Sequence, residues 1–408
     1  MAFLSLLDER MRAKGSRDPL GFEPVWTAFG RRLVGNLTTV TSSWRNAAVS
    51  LLGFYWCNDL CRDVPEEAKL KTLQAYFIRY EQLTGYLRCL DTDRSGDVLG
   101  VTRVRKNLDN KDGRVTLGTN TQHLILSDQI SSGLWGLYSS AMRTTDLVRG
   151  DYRLPTDQGA SIAERMENKL DKNTYVELIE GVRNDLTHRE LATLASGFIA
   201  AIEQPDVRAM LIDSLLSGSR DHALQKTLLS ATEKIELSPS TVKTAGYVAA
   251  LREADIPPEL DARLSDIESL ERLLVTSNML FDYSRRKDGA SVLTLAAEIS
   301  ARIDFGFVPA APSLDGCRYR ADLEAIRSAL RAGQVETAIR ALFELNRHVM
   351  QDRGSAPWVE LADGDRVRVR VKSEVSELRP PEAFRTEWHY SYFLESFARI
   401  ASEAGRSS

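Results

Sequence analysis

Apolar residues recur at three- and four-residue steps through most of this chain, the period of one face of an α-helix. Over residues 65–90, Leu70, Leu73, Phe77, Tyr80 and Leu87 keep that step and predict an amphipathic helix of about six turns. Similar patterns predict helices over residues 42–61, 193–216, 258–283 and 321–350. Turn-forming clusters separate them: Asp-Arg-Ser-Gly at 93–96, Asn-Lys-Asp-Gly at 110–113, Ser-Gly-Ser-Arg at 217–220, Ile-Pro-Pro at 256–258 and Pro-Ala-Ala-Pro at 309–312. A period of two occurs in two places only. Residues 146–155 alternate as a short hairpin with Gly150-Asp151 at its turn. Residues 358–361 and 366–371 flank Asp363-Gly364-Asp365, and Asp-Gly between alternating runs is a strong hairpin signal. In the second run Val367, Val369 and Val371 point one way and Arg366, Arg368 and Arg370 the other.

The fold class expected is therefore mainly α. At 408 residues the chain exceeds one compact core, so several domains are expected. A composition of 43% hydrophobic and 27% charged residues is that of a globular protein. The net charge of −4 excludes a chain that is basic throughout, so any nucleic-acid contact must be local. The apolar stretch at residues 1–7 runs straight into Asp8-Glu9-Arg10, without the basic leader and cleavage site of a signal peptide. No run of apolar residues is long enough to span a bilayer. Cys57, Cys61, Cys89 and Cys317 are few and scattered, as expected of reduced thiols in a cytoplasmic protein.

Residues 119–170 order as helix, short turn, helix, hairpin, helix. The stretch Asp146-Leu-Val-Arg-Gly-Asp-Tyr-Arg-Leu-Pro-Thr-Asp-Gln-Gly159 is similar to the end of many prokaryotic winged helix-turn-helix domains, where an apolar pair opens the wing and a Thr starts the next helix. The resemblance covers about fifty residues and implies a winged fold more directly than it implies DNA binding. The helix in the recognition position, residues 132–143, holds one arginine among large apolar groups. A groove-reading helix needs base-edge donors, so this one is expected to pack. Arg143, Arg149 and Arg153 remain the candidates for backbone contact. The regions expected are 1–118, N-terminal helices; 119–172, the winged-helix-like segment; 173–308, a helical bundle; and 309–408, C-terminal helices with a β-hairpin.

Candidate chemistry is sparse. Cys57-x3-Cys61 lies on one face of an apolar helix beside Phe54, Tyr55 and Trp56, unlike the turn-borne pairs of structural zinc, so buried thiols and no metal are expected. Asp91-Thr-Asp93-Arg-Ser-Gly96-Asp97 echoes a calcium loop, but the twelfth position is Thr102 rather than glutamate. No Walker loop and no Gly-x-Ser-x-Gly elbow occurs, and no cofactor is expected. Arg183-Asn184-Asp185-Leu186-Thr187-His188 resembles the R-(polar)-x3-H motif of the HEPN ribonucleases. That resemblance implies Arg183 on a phosphate, His188 in proton transfer and Asn184 as the polar position. Residues five apart on one helix lie about 140° apart around its axis, so the helix would have to break between them or a second subunit bring another copy close. A rival reading makes Thr187-His-Arg-Glu190 a capping box, with Arg183 in the last turn of the preceding helix.

Arg366, Arg368, Arg370 and Lys372 form the densest basic stripe, ordinarily a solvated face and otherwise able to meet an acidic partner or a nucleic-acid backbone. The aromatic tail Trp388-His-Tyr-Ser-Tyr-Phe393 is expected to pack a C-terminal helix into the core. The Gly133-x-Trp135-Gly-x-Tyr138 stretch, the region from Arg347-His348 to Trp358 and this tail resemble uncharacterised proteins of bacterial anti-phage gene clusters. The function expected is a non-enzymatic binding component, an adaptor or nucleic-acid-sensing subunit with protein partners, weak nucleic-acid contact and no membrane. The alternatives are a metal-independent HEPN-type ribonuclease using Arg183 and His188, and a purely structural subunit.

Overall fold

The computed structural model describes residues 17–90, 96–110, 112–218, 223–363, 365–375 and 377–404. The apolar stretch at 1–7, residues 91–95 of the calcium-like loop and Gly364 of the hairpin turn lie outside them. The chain is mainly α: the described residues form eighteen helices and three two-stranded antiparallel sheets. In chain order, α1 (Glu23–Arg31), α2 (Trp44–Leu60), α3 (Glu66–Cys89) and α4 (Val101–Leu108) precede β1 (Arg114–Thr116). Then come α5 (Gln129–Ser132), α6 (Leu134–Thr144), β2 (Val148–Arg149), β3 (Leu154–Pro155), α7 (Asp157–Glu167), α8 (Lys172–Glu180) and β4 (Asp185–Thr187). Next are α9 (His188–Ile202), α10 (Pro205–Ser217), α11 (Ala223–Thr232), α12 (Thr244–Glu253) and α13 (Pro258–Ser284). The rest is α14 (Val292–Ser300), α15 (Arg320–Arg331), α16 (Val335–Asp352), β5 (Val359–Ala362), β6 (Arg366–Val369), α17 (Pro381–Thr386) and α18 (Leu394–Ala404).

Two compact units share the chain: Met1–Leu33 with Lys243–Tyr392, and Val34–Val242 with Phe393–Ser408. In the first, α13 is the axis. It packs against α1, α16 and α17, while α14 and α15 cover α16. The hairpin β5–β6 pairs Val359 with Val369 and Leu361 with Val367. Val367 exchanges backbone bonds with Gly289 and Ala290 in the loop after α13, which ties the hairpin to that helix.

In the second unit α2 is buried on nearly every side, from Trp44 to Cys57, as an apolar helix must be when neighbours surround it. It lies against α3, α6, α7 and α10. Phe54 stacks on Phe77 at 4.9 Å, and Trp135 meets both rings edge-on. Short helices here are held by charged groups from α3. Between α5 and α6 the backbone turns at Gly133, and the buried Glu81 carboxylate accepts from Leu134 N at 2.6 Å and Gln129 Nε2 at 3.0 Å. A carboxylate at a helix N-terminus satisfies an orphan donor and meets the positive end of the dipole.

Two expected helices are each divided. Residues 193–216 belong to α9 and α10, parted at Gln204-Pro205 because proline lacks the N–H that would continue the helix. Residues 321–350 belong to α15 and α16, parted at Gly333, whose φ of 69° ends the helix in the left-handed region. The hairpin at 146–155 forms as β2–β3, pairing Val148 with Pro155. The pairing of β1 with β4, Arg114 to Thr187 and Val115 to Leu186, has no periodic signal at three residues a strand. Among the described residues no helix is long and apolar enough to cross a membrane.

A side chain at Gly133 would place its Cβ under 3.0 Å from the Gln129 carbonyl and both Glu81 carboxylate oxygens. Gly133→Ala is therefore expected to cost about 2 kcal/mol through overpacking. Chemical denaturation followed by tryptophan fluorescence checks it; an unchanged midpoint would mean that α5 and α6 part without resistance.

Candidate functional site

The R-x4-H stretch is brought together by a connector, not by a helix end. The preceding helix α8 stops at Glu180, with Gly181 in the left-handed region, so Arg183 lies beyond the last turn where it was expected. Its guanidinium pairs with Glu190 at 2.6 Å. Asn184 Oδ1 accepts from Arg79, whose guanidinium also donates to the Leu178, Leu117 and Arg183 carbonyls. Thr187 caps α9: its hydroxyl accepts from Glu190 N at 3.2 Å, and the Glu190 carboxylate accepts from Thr187 N at 2.8 Å. This is the capping box read from the sequence. The Thr187 backbone and hydroxyl donors, with Arg183, hold the Glu190 carboxyl down at about 2. His188 is the first residue of α9. Arg183 Nε and His188 Nε2 are buried without hydrogen-bond partners, and neither bonds the other.

The basic candidates scatter. In the winged-helix-like segment α6 buries Leu134, Trp135, Tyr138, Ser139, Ala141 and Met142. Arg153 packs its guanidinium 4.3 Å over the Trp135 ring and donates to Ser139 Oγ at 2.9 Å. Arg143 lies 3.9 Å from Asp151, and Arg149 is exposed with no ion-pair partner among the described residues. On β6, Arg366 donates to the Gly289 carbonyl at 2.8 Å. Glu360, opposite Arg368 in the hairpin, pairs with Arg370 at 2.7 Å and with Arg368 at 3.5 Å. The stripe is thus neutralised in part by its own sheet. Cys57, Cys61 and Cys89 are buried free thiols, and burial pushes the Cys57 thiol well up. Among the described residues no three His, Cys, Asp or Glu side chains converge as a metal set.

A concave site with no local signal in the sequence lies in the first unit. It is a cleft of about 670 Å³ between the start of α1, the C-terminal half of α13, the segment after β6 and the loop after α17. Its floor is aromatic. Trp26 stacks on Tyr390 at 5.8 Å and 23°, and Phe281 and Trp358 are buried beside them. Its rim carries both signs: Arg17 and Lys372 against Glu23, Asp282 and Glu374. Asn278 donates to the Tyr390 hydroxyl at 2.7 Å.

The walls are set by α13. Arg285 donates to the Val371 and Lys372 carbonyls at 2.9 Å each, lies 4.5 Å over Trp358 and pairs with Asp282 at 2.8 Å. Arg286 holds the Ser373 carbonyl. On the opposite wall the residues of the aromatic tail form a loop rather than a helical face. Tyr392 and Phe393 take positive φ, and α18 begins only at Leu394. The buried Glu271 fixes that loop: its Oε1 accepts from His389 N and Tyr390 N, and its Oε2 from the Tyr392 hydroxyl at 2.7 Å. Burial raises the Glu271 carboxyl to about 7 against those bonds. It also raises Asp282, opposed by Arg285, and lowers the His389 imidazole, opposed by Glu387.

His389, Ser373 and Asp282 line this cleft without forming a relay. The Ser373 hydroxyl accepts from Val375 N, and the imidazole of His389 lies 3.6 Å from Glu387. Comparisons of the chain with protein-family models, with curated proteins and with solved structures give no match.

Two stability measurements follow. Thr187→Ala is expected to cost about 1 kcal/mol through the lost cap; no change on denaturation would mean that Glu190 and Arg183 hold the start of α9 alone. Glu271→Ala, which leaves buried donors unmatched, is expected to cost about 3 kcal/mol. Since the folded-state pKa of Glu271 is raised, its contribution is fullest below about 4.5 and falls away as pH rises through about 7. Glu271→Gln should therefore lack that decline. Parallel stability profiles for the wild type and Glu271→Gln across this window would refute the assignment.

Proposed function

We propose that this protein is a non-enzymatic binding component of a larger assembly, and that it holds a peptide segment of a partner protein in the cleft of the first unit. The observation that carries this reading is the pairing of a stacked Trp26–Tyr390 floor with a rim of both charges. Aromatic surface supplies affinity and charged rim groups supply specificity in such sites. An anionic polymer would instead meet Glu23, Asp282 and Glu374. Arg285 and Arg286 donate to backbone carbonyls of one wall and Glu271 accepts from backbone N–H groups of the other, and preformed walls lower the ordering cost of binding.

Of the two forms expected from the sequence, adaptor and nucleic-acid sensor, the cleft favours the adaptor. Arg153 is stacked on Trp135, and Arg370 is paired with Glu360. The capping box explains Thr187 and Glu190, and the Arg79 bonds explain Asn184, each without catalysis.

The test is an array of short peptides probed with the whole protein. Binders are expected to share an aromatic residue flanked by charges of both signs. Reversal of one exposed rim charge, Lys372→Glu or Glu374→Lys, should weaken them about tenfold, the effect of one lost ionic contact. An array without binders, or binders indifferent to both reversals, would sink this reading.

A further inference from the structure

A second pocket, in the other unit, has opposite chemistry. It measures about 380 Å³ and lies between the C-terminal part of α3, the end of α4, β1 and the loop before α5. Among the described residues two cations line it, Lys106 from α4 and Arg114 from β1, and no carboxylate does. Neither cation has an ion-pair or hydrogen-bond partner among the described residues, whereas Arg45, Arg183 and Arg370 do. Asp109 and Asp112 flank the pocket in sequence without lining it. The nearest strand carboxylate, Asp185, accepts from the Thr116 hydroxyl.

The floor supplies an independent pointer. Tyr86 is fully buried, yet it lines the pocket. Its hydroxyl oxygen accepts from Asn107 Nδ2 at 2.8 Å, and its own O–H has no acceptor among the described residues. A buried hydroxyl keeps an unused donor at a cost unless something beyond the protein accepts it. At the mouth the Gln122 amide meets His123 Nε2 at 2.9 Å, which adds a polar edge. Two unpaired cations and a buried donor lining one space match an anion with several acceptor oxygens.

The geometry points to a binding site for a small phosphorylated molecule, its phosphate held by Lys106, Arg114 and the Tyr86 hydroxyl. The volume falls in the range of small-molecule sites, roughly 300–1,000 Å³, and so accommodates an organic group beyond the phosphate.

Calorimetric titration of the full chain with inorganic phosphate, AMP, adenosine and a single-stranded oligonucleotide tests this. Phosphate and AMP are expected to bind, AMP the more tightly, and adenosine not. The double variant Lys106→Gln/Arg114→Gln should lose AMP binding by tenfold or more, on the order of two charged contacts. Tyr86→Phe, which keeps the ring packing, should lose about threefold to tenfold for one donor. Arg149→Gln, an exposed cation elsewhere in the same unit, should bind as the wild type does. Circular dichroism checks that each variant is folded, and Tyr86→Phe keeps the test decisive if the double variant is not. Four results would each overturn the assignment: no AMP binding, adenosine binding as well as AMP, equal loss in Arg149→Gln, or affinity for the oligonucleotide exceeding that for AMP and rising with its length.

Discussion

A chain that changes direction often leaves many backbone N–H and C=O groups outside any helix, and buried groups of this kind must find partners. In this protein two long helices supply them, one in each unit. From α3, Arg79 donates to three carbonyls, Glu81 accepts from the start of α6, and Gln82 bonds both the N–H and C=O of Gly118. From α13, Glu271 accepts from the loop after α17, Arg272 donates to Phe384 and Glu387 carbonyls, and Arg285 donates to Val371 and Lys372 carbonyls. Each helix is a rod whose charged side chains order irregular backbone around it.

That arrangement explains why charged residues are buried in both cores. A buried charge without a partner is expensive, and a charge bonded to two or three backbone groups is stabilising because both sides gain. It also places function. Irregular segments are where recognition surfaces form, and a rigid support makes them precise enough to bind. The aromatic cleft has its walls held from α13, and the cationic pocket has its floor on α3. In the cleft the charges of the wall are matched by backbone or by each other, leaving the rim for a ligand. In the cationic pocket Lys106 and Arg114 are left unmatched among the described residues. The difference between used and unused charge separates scaffold from site here, since most other arginines considered as contacts already hold a carbonyl, a ring or a carboxylate.

Much of the helical framework was legible from periodicity alone, because one buried face repeats every 3.6 residues whatever lies opposite. Both hairpins and the capping box at Thr187 were legible too, as each rests on neighbours in sequence. Divided helices were missed at Gln204-Pro205 and Gly333 because the apolar period runs on across both breaks. The cleft was not legible. Its aromatic floor joins Trp26 to Tyr390, and its wall joins Glu271 to His389 and Tyr390; such separations carry no local signal. The tail at 388–393 was readable as buried aromatic surface but not as a loop, since burial alone does not distinguish the two.

What the sequence by itself determined is the set of local elements: helices where the period holds, turns at Gly and Pro, the cap at Thr187, and a β-hairpin at its alternating valines. These depend on interactions within a few residues, and such interactions are present before the chain closes. Only the tertiary structure decided which charges are committed and which are free. Arg153 and Lys106 are both cations among turns and short helices when read in sequence. One meets Trp135 and Ser139, and the other meets open space, because partnership across tens of residues is set by how the helices pack.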